Sequence, residues 1–360
     1  MWRYLWDGEV ARHGISPYRY APDDPALQSL SSNLRAQLAH REFRTVYPPV
    51  AQAAFRVLGG RGLIVLKAGP AAADVAVVGL LYGAGGPVPA ALYAFHPLPI
   101  TEIAGQGHVD ALGAALLLAA VVSLRGGRRF AAGLALAASV LTKYVSIGAA
   151  LPILRRGRLA ALGGFVLSGA VVWLAASQRG ATPAGDLKQF SLRWDFNSVL
   201  YPAAVGLMER TGLPDSAKDV FIDWKARHHD PAWTQSVFPY FYAAFFARAL
   251  LGGILTLLLL VIGWRVGNSE TAVFASLAAL LLFSPTLHPW YLIWILPFAA
   301  WKREPSFLFL SLAVPLAYAL LYPLPGVSRG LILALEYVPF ALLLSRTLAG
   351  ARRGEARAGP

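Results

Sequence analysis

Residues 125–158 read RGGRRFAAGLALAASVLTKYVSIGAALPILRRGR, and the way this stretch meets a bilayer decides the architecture of the chain. Arginines flank the apolar run on both sides, and Lys143 stands near its middle. Basic residues collect on the face of a membrane that is not translocated, so one straight crossing from 130 to 154 would set the two clusters on opposite faces. Two half-helices that turn back near Thr142 and Lys143 keep both clusters on one face and gather every polar region on the other. A re-entrant pair with Lys143 at its tip is therefore expected.

Composition fits a membrane setting. Hydrophobic residues make up 56% of the 360 and charged residues 14%, against about a quarter charged in a soluble domain. The net charge of +13 would suit nucleic acid if it lined a groove. It lies instead in short clusters between apolar runs, which argues against a nucleic-acid partner. The chain has no cysteine, so disulfides and thiolate metal sites are excluded.

Apolar runs cover 62–83, 84–100, 108–124, 130–154, 159–177, 240–264, 271–287, 288–301, 307–325 and 331–349. A crossing takes about 20 residues, which makes 84–100 and 288–301 marginal. The chain then divides into an outer-face loop with interfacial helices at 1–60, an N-terminal transmembrane module at 61–177, a second outer-face loop at 178–239, C-terminal transmembrane helices at 240–350 and a cytoplasmic tail at 351–360. Arg346, Arg352, Arg353 and Arg357 set the tail inside. Counting back from it puts WKRE at 301–304 inside and His288 outside. Residues 1–60 hold seven arginines with no helix before them, so a first transmembrane helix is expected upstream of the segment that starts at Met1.

Polar residues at span mouths are the candidates for chemistry. HPLPITEIAGQGHVDALG at 96–113 runs into a span, yet it carries Glu102, Gln106, His108 and Asp110. Ionisable groups there need a wet cavity or a partner. Helical spacing would put Gln106 and Asp110 on one face, with Glu102 a turn earlier. They read either as a pocket for hydroxyls and acceptor or as an interfacial cap in which Asp110 favours the helix dipole. Lys143 reads as a holder of an anionic group or as the partner of an acid such as Asp74. Asp7, in WDG, reads as a carboxylate base or as a helix cap, and Arg3 as a phosphate ligand or a side chain snorkelling to headgroups. His288 in LHPWYLIW is expected to face a pocket, with Trp290, Tyr291 and Trp294 in an aromatic belt. TVYPPVAQ at 45–52 predicts a rigid turn into an interfacial helix, with Tyr47 touching a ligand or packing. His228, His229 and Asp230 lack further ligands at suitable spacing, and no metal site is expected there.

The segments RYLWDGEVARHGISPYRYAPDD at 3–24, TVYPPVAQ at 45–52, HPLPITEIAGQGHVDALG at 96–113, LTKY at 141–144 and SPTLHPWYLIWILPF at 284–298 together resemble bacterial membrane mannosyltransferases of the GT-C superfamily, the glycosyltransferase 87-like group. The resemblance implies an all-α integral membrane protein, a polytopic GT-C-like bundle with re-entrant or half-spanning helices and outer-face loops. It implies transfer of a hexose, mannose, from a polyprenyl-phosphate donor to a glycan or lipid acceptor at the extracytoplasmic face of a bacterial inner membrane. Asp7 is then the catalytic acid that matches the family's leading motif. Arg3, Tyr47, Glu102, Gln106, His108, Asp110, Lys143 and His288 become substrate-binding residues. Members carry an amino-terminal helix and further acids just before the RYLWDG segment, which are absent here. Transfer from a lipid phosphate needs a base near the acceptor and cations near the leaving phosphate. A singly charged phosphodiester does not require a metal, and no cofactor is expected. A polar-lipid transporter or flippase would show repeat-related halves with broken helices near midplane, and no matching second half is found. An inactive truncated scaffold is the other alternative.

Overall fold

The structure, a computed structural model, describes residues 1–177, 181–228, 237–322 and 324–358. His229 and Asp230 lie outside the described residues. Among these, the chain is helical apart from connectors and one isolated β-bridge between Phe196 and Thr286. It is a polytopic all-α membrane protein.

The N-terminal segment forms α1 (Trp2–Arg12), which packs on α2 (Pro49–Gly59). Pro49 opens α2 because its fixed φ suits the first helical turn and its missing N–H would lack a partner there anyway. The two helices touch at backbone distance, since a Cβ on Gly8 would lie 2.3 Å from the Phe55 carbonyl oxygen. Tyr4 stacks on Phe55 with centroids 4.3 Å apart and closes this small core.

The spans that follow run between two ends of the bundle. α3 (Leu63–Gly85) starts where Lys67 donates to the Gly105 carbonyl at 2.6 Å and finishes against Trp301. α4 (Pro87–Ala94) returns only part of the way; the chain then passes through His96 and a π-helical turn at Ile100–Gly105. The marginal run 84–100 is thus a broken span. α5 (Asp110–Arg125) leads down again, and Gly126 and Gly127, the latter at φ 75, turn the chain into α6 (Arg129–Val140). The two are antiparallel, with Ser139 Oγ donating to the Gly113 carbonyl at 2.8 Å.

The 125–158 stretch reverses as its charges require. Lys143 is extended, with φ −159 and ψ 131, between the end of α6 and the turn Tyr144–Ala149 that leads into α7 (Ala150–Ala176). The first leg of α7 brings Arg155 to the Gly263 and Trp264 carbonyls, and Arg156 lines one hollow with Arg125 and Arg129. Both basic clusters therefore share one end. Arg158 then breaks the helix at φ 55, ψ −152, a positive-φ conformation almost confined to glycine that costs another residue about 1–3 kcal/mol. Beyond it the chain climbs beside α6. A Cβ on Gly133 would sit 2.0 Å from the Ala161 carbonyl oxygen, and one on Gly164 2.3 Å from that of Phe130. Small residues allow such approach, which drives helix association where lipid removes the hydrophobic gain.

After α8 (Leu200–Thr211) in the second polar loop, the C-terminal half repeats the traffic with α9 (Ala243–Arg265), α10 (Ser269–Phe283), α11 (Leu296–Lys302), α12 (Pro305–Ala313) and α13 (Arg329–Ala358). The second marginal run, 288–301, is also broken: a 3-10 turn at Pro289–Trp294 precedes the short α11. Contacts between ends tie the bundle. Lys302 Nζ donates to Thr271 at the basic end, and Tyr318 donates to Glu102 at the other, at 2.8 Å each.

A strap at 194–198 locks the second polar loop to the bundle. Phe196 donates to the Pro285 carbonyl at 3.1 Å and accepts from Leu287 N at 2.7 Å. Asn197, at φ 50, occupies the left-handed region that asparagine tolerates better than most residues. Its Nδ2 donates to Glu336 Oε2 at 2.7 Å, and Tyr337 donates to its carbonyl at 2.8 Å. Glu336 is fully buried inside an apolar span, where an ionisable group persists only with a partner.

Two outcomes are expected. In this cysteine-free chain, Arg128→Cys and Gly267→Cys should react with a membrane-impermeant maleimide from one side and Gln106→Cys from the other; labelling of the Arg128 and Gly267 positions from opposite sides would contradict the reversals at Lys143 and Arg158. Glu336→Leu leaves the Asn197 side-chain amide unpartnered and should lower stability by about 1–3 kcal/mol in thermal unfolding, with Glu336→Gln retaining most of it.

Candidate functional site

The ends of α5 and α6, the turn after α6 and the loop after α10 converge opposite the basic end. They enclose a cavity of about 490 Å³ lined by Tyr47, Lys143, Tyr144, His288, Trp290 and Tyr291, with Phe190 and Trp194 from the second polar loop. Its walls are chiefly aromatic and aliphatic. One cation, Lys143, and one imidazole, that of His288, stand on them.

Lys143 is the central group. Its Nζ lies 2.6 Å from Asp110 Oδ1 and 4.5 Å from the Tyr291 ring centroid. Asp110 is completely buried at the start of α5, and its Oδ1 also accepts from Trp294 Nε1 at 2.7 Å. The partner of Lys143 is thus Asp110; Asp74 instead accepts from Tyr93 at 2.5 Å. Trp294 is fully buried, which corrects the expectation of an aromatic belt at this position. It serves Asp110 rather than a headgroup layer.

Trp290 is likewise no belt residue. It stacks on His108 at 4.2 Å on one side and on His288 at 4.3 Å on the other, and His288 stacks on Phe196 at 4.5 Å. This four-ring column joins the 96–113 segment, the loop after α10 and the strap. Burial, and after it the charge of Lys143, lowers His288 to about 4 and His108 well below its ordinary range. Both imidazoles are therefore neutral near pH 7. His108 Nε2 lies 3.5 Å from Glu102 Oε2. Because that ring is neutral, the contact is not an ion pair. Burial raises the Glu102 carboxyl, opposed by the hydrogen bonds from Tyr318.

The helical face expected across 102–110 does not form. Gly107 at φ 75 separates the π-helical turn from α5, so Gln106 is exposed on the connector while Asp110 is buried. A residue in the left-handed region cannot continue a right-handed helix, and the two glycines flanking Gln106 were the available signal.

Asp7 belongs to a second group. It lies in the middle of α1, 1% exposed, which removes the capping alternative. Arg3 Nε donates to it at 2.8 Å, and Gln52 Nε2 at 2.9 Å. Gln52 also donates to Thr45 at 2.8 Å, and Arg3 reaches the Phe43 carbonyl at 2.9 Å. A second cavity of about 200 Å³ opens above this group, lined by Arg3, His40, Arg44, Tyr47, Asp186 and Trp194 among others. Tyr47, Phe190 and Trp194 line both cavities and form the wall between them. Arg44 grips Asp186 through Nη2 at 2.7 Å and through its backbone amide at 2.7 Å. Burial alone would raise the Asp186 carboxyl, but these bonds hold it below its ordinary value.

The sequence-derived residues therefore fall into two connected groups. Lys143 and His288 line the larger cavity, with Asp110 behind Lys143, His108 in the ring column and Glu102 beside His108; Asp7 and Arg3 belong to the smaller one, with Tyr47 between. The sequence reading missed Gln52, Arg44, Asp186, Tyr318 and the Asn197–Glu336 pair. Only Glu336 gave a signal, as an acid inside the apolar run 331–349. Among the described residues, seven buried side-chain polar atoms have no partner, and three of them, Asp110 Oδ2, His288 Nδ1 and Gln52 Oε1, belong to these two groups.

Residues 236–351 match the family described as the MptB C-terminal domain, a mannosyltransferase-related family. The match covers less than half of the chain and includes His288, Trp290, Tyr291 and Trp294 on the cavity wall, while Tyr47, Lys143 and Trp194 lie outside it. No curated protein and no solved structure matches the chain. The likeness supports glycosyltransferase activity of the mannosyltransferase type in a membrane protein.

Removing one partner of the buried pair should be more damaging than removing both. Lys143→Met leaves the Asp110 carboxylate uncompensated and should cost about 3–5 kcal/mol in thermal unfolding. Adding Asp110→Asn should restore much of that loss; a double variant as unstable as the sum of the single ones would show the two groups to be uncoupled.

Proposed function

We propose that this protein transfers a hexose, mannose, from a polyprenyl-phosphate donor to a glycan or lipid acceptor at the extracytoplasmic face of a bacterial inner membrane. The observation that carries this reading is an aromatic-walled cavity with a lysine at its tip, half of whose wall lies in the segment matching a mannosyltransferase-related family. The apolar wall suits the prenyl chain. Lys143 has three N–H donors and spends one on Asp110, leaving others for the donor phosphate.

In the reaction, the acceptor hydroxyl attacks the anomeric carbon as the bond from that carbon to the phosphate oxygen breaks. The bonding electrons leave with the polyprenyl phosphate, where Lys143 stabilises the developing charge. The hydroxyl proton passes to a carboxylate, for which we assign Asp7, held in place by Arg3 and Gln52. The smaller cavity, with planar Arg44–Asp186 hydrogen-bonding groups beside Trp194, suits the acceptor. Neutral His288 and His108 offer lone pairs to sugar hydroxyls, and Glu102 orients His108. Basic residues gathered at the opposite end agree with a cytoplasmic orientation for that end.

The test is transfer of radiolabelled mannose from polyprenyl-phosphate mannose by the full chain in proteoliposomes. Asp7→Asn should lower the rate about 10²–10⁴-fold, as removal of a general base does, and His108→Ala should also impair transfer at equal expression. Full activity in both variants would remove these assignments; lipid translocation without release of polyprenyl phosphate would overturn the transferase reading.

A further inference from the structure

A polar hollow of about 440 Å³ lies at the basic end, across the bundle from the aromatic cavity. Arg125, Arg129 and Arg156 line it, with Glu270 as the acid on its wall. Arg125 stands 3.7 Å from Glu270, and its guanidinium lies over Trp301 at 5.0 Å. Arg156 is fixed by the carbonyls of Val266 and Gly267 at the end of α9. Arg129 is exposed and makes no ion pair among the described residues. Three guanidinium groups against one carboxylate leave an excess of positive charge.

Two further features point the same way. The N-termini of α6 and α10 both open onto the hollow, through Arg129 and Ser269, and no side chain caps the first. Asn268 caps the second by accepting from Thr271 N, so the positive dipole ends of both helices and the uncapped amides of α6 favour an anion. Apolar surface is exposed at the same end, where Phe130 and Leu159, which follow Arg129 and Arg158 in the chain, are 46% and 83% exposed. A soluble anion has no use for that surface, whereas acyl chains do.

We propose that this hollow binds the phosphate headgroup of an anionic membrane lipid, with its acyl chains along Phe130 and Leu159. Arginine forks match phosphate oxygens in pairs, and basic pockets between span ends are suited to such headgroups. The site is independent of the transferase reading.

The test uses the full chain, stripped of lipid in neutral detergent and titrated by native mass spectrometry with phosphatidylglycerol, phosphatidylcholine or inorganic phosphate. Phosphatidylglycerol should give one saturable adduct that neither of the others gives. Arg125→Gln/Arg129→Gln should weaken it at least about tenfold, while Arg61→Gln, exposed at the other end, should leave it unchanged. Arg129→Gln alone, which breaks no side-chain hydrogen bond or ion pair among the described residues, should weaken the adduct several-fold and serves should the double variant not fold. Equal binding by wild type and the Arg129→Gln variant, or phosphatidylcholine binding as tight as phosphatidylglycerol, would overturn the proposal. Inorganic phosphate binding as tightly as the lipid would assign the hollow to a soluble anion and overturn it as well.

Discussion

The ion pair between Lys143 and Asp110 is the interaction on which the site end of the molecule depends. A lysine at the tip of a re-entrant hairpin and an aspartate at the first residue of a span are each costly within a bilayer's thickness. Together, at 2.6 Å, they bring the tip of 125–158 onto the start of α5. Trp294 donates to the same carboxylate and draws in the broken span after α10. One buried oxygen thus joins three elements, and the aromatic cavity is the space they leave between them.

The same economy governs the outer wall. Because the strap at 194–198 pairs its backbone with 285–287 and its asparagine with Glu336, the second polar loop is held by hydrogen bonds on both sides. Phe196 on that strap ends the ring column that begins at His108. The column links three stretches of chain through flat faces, a geometry that fixes orientation more than distance. Neutral histidines within it keep their lone pairs, which suits hydroxyl recognition better than charge attraction.

The two ends of the bundle carry opposite chemistries. Aromatic rings and single ion pairs occupy the site end, while unbalanced arginines and the uncapped N-terminus of α6 occupy the other. Reversals at Lys143 and Arg158 make this separation possible, since a straight helix through 144–176 would have scattered the basic clusters.

Much of this architecture was legible in the sequence because it rests on local or bilayer-scale quantities. Apolar runs marked a polytopic helical chain, and the two runs too short for comfort, 84–100 and 288–301, are both broken, as is the longer run 307–325. Charge bias alone required the hairpin at Lys143. Pairing was beyond the sequence: Lys143 meets an acid 33 residues away and Trp294 one 184 away, distances at which no periodicity carries information. Trp290 and Trp294 read as belt residues, because composition cannot distinguish an indole facing lipid from one buried against a histidine or an aspartate. The face expected across Gln106 and Asp110 failed for a local reason, the left-handed Gly107, which spacing rules ignore. Length and charge thus determined that the chain spans a membrane and where it turns; only tertiary packing decided which polar groups meet, since a buried charge takes whichever partner the fold brings within reach.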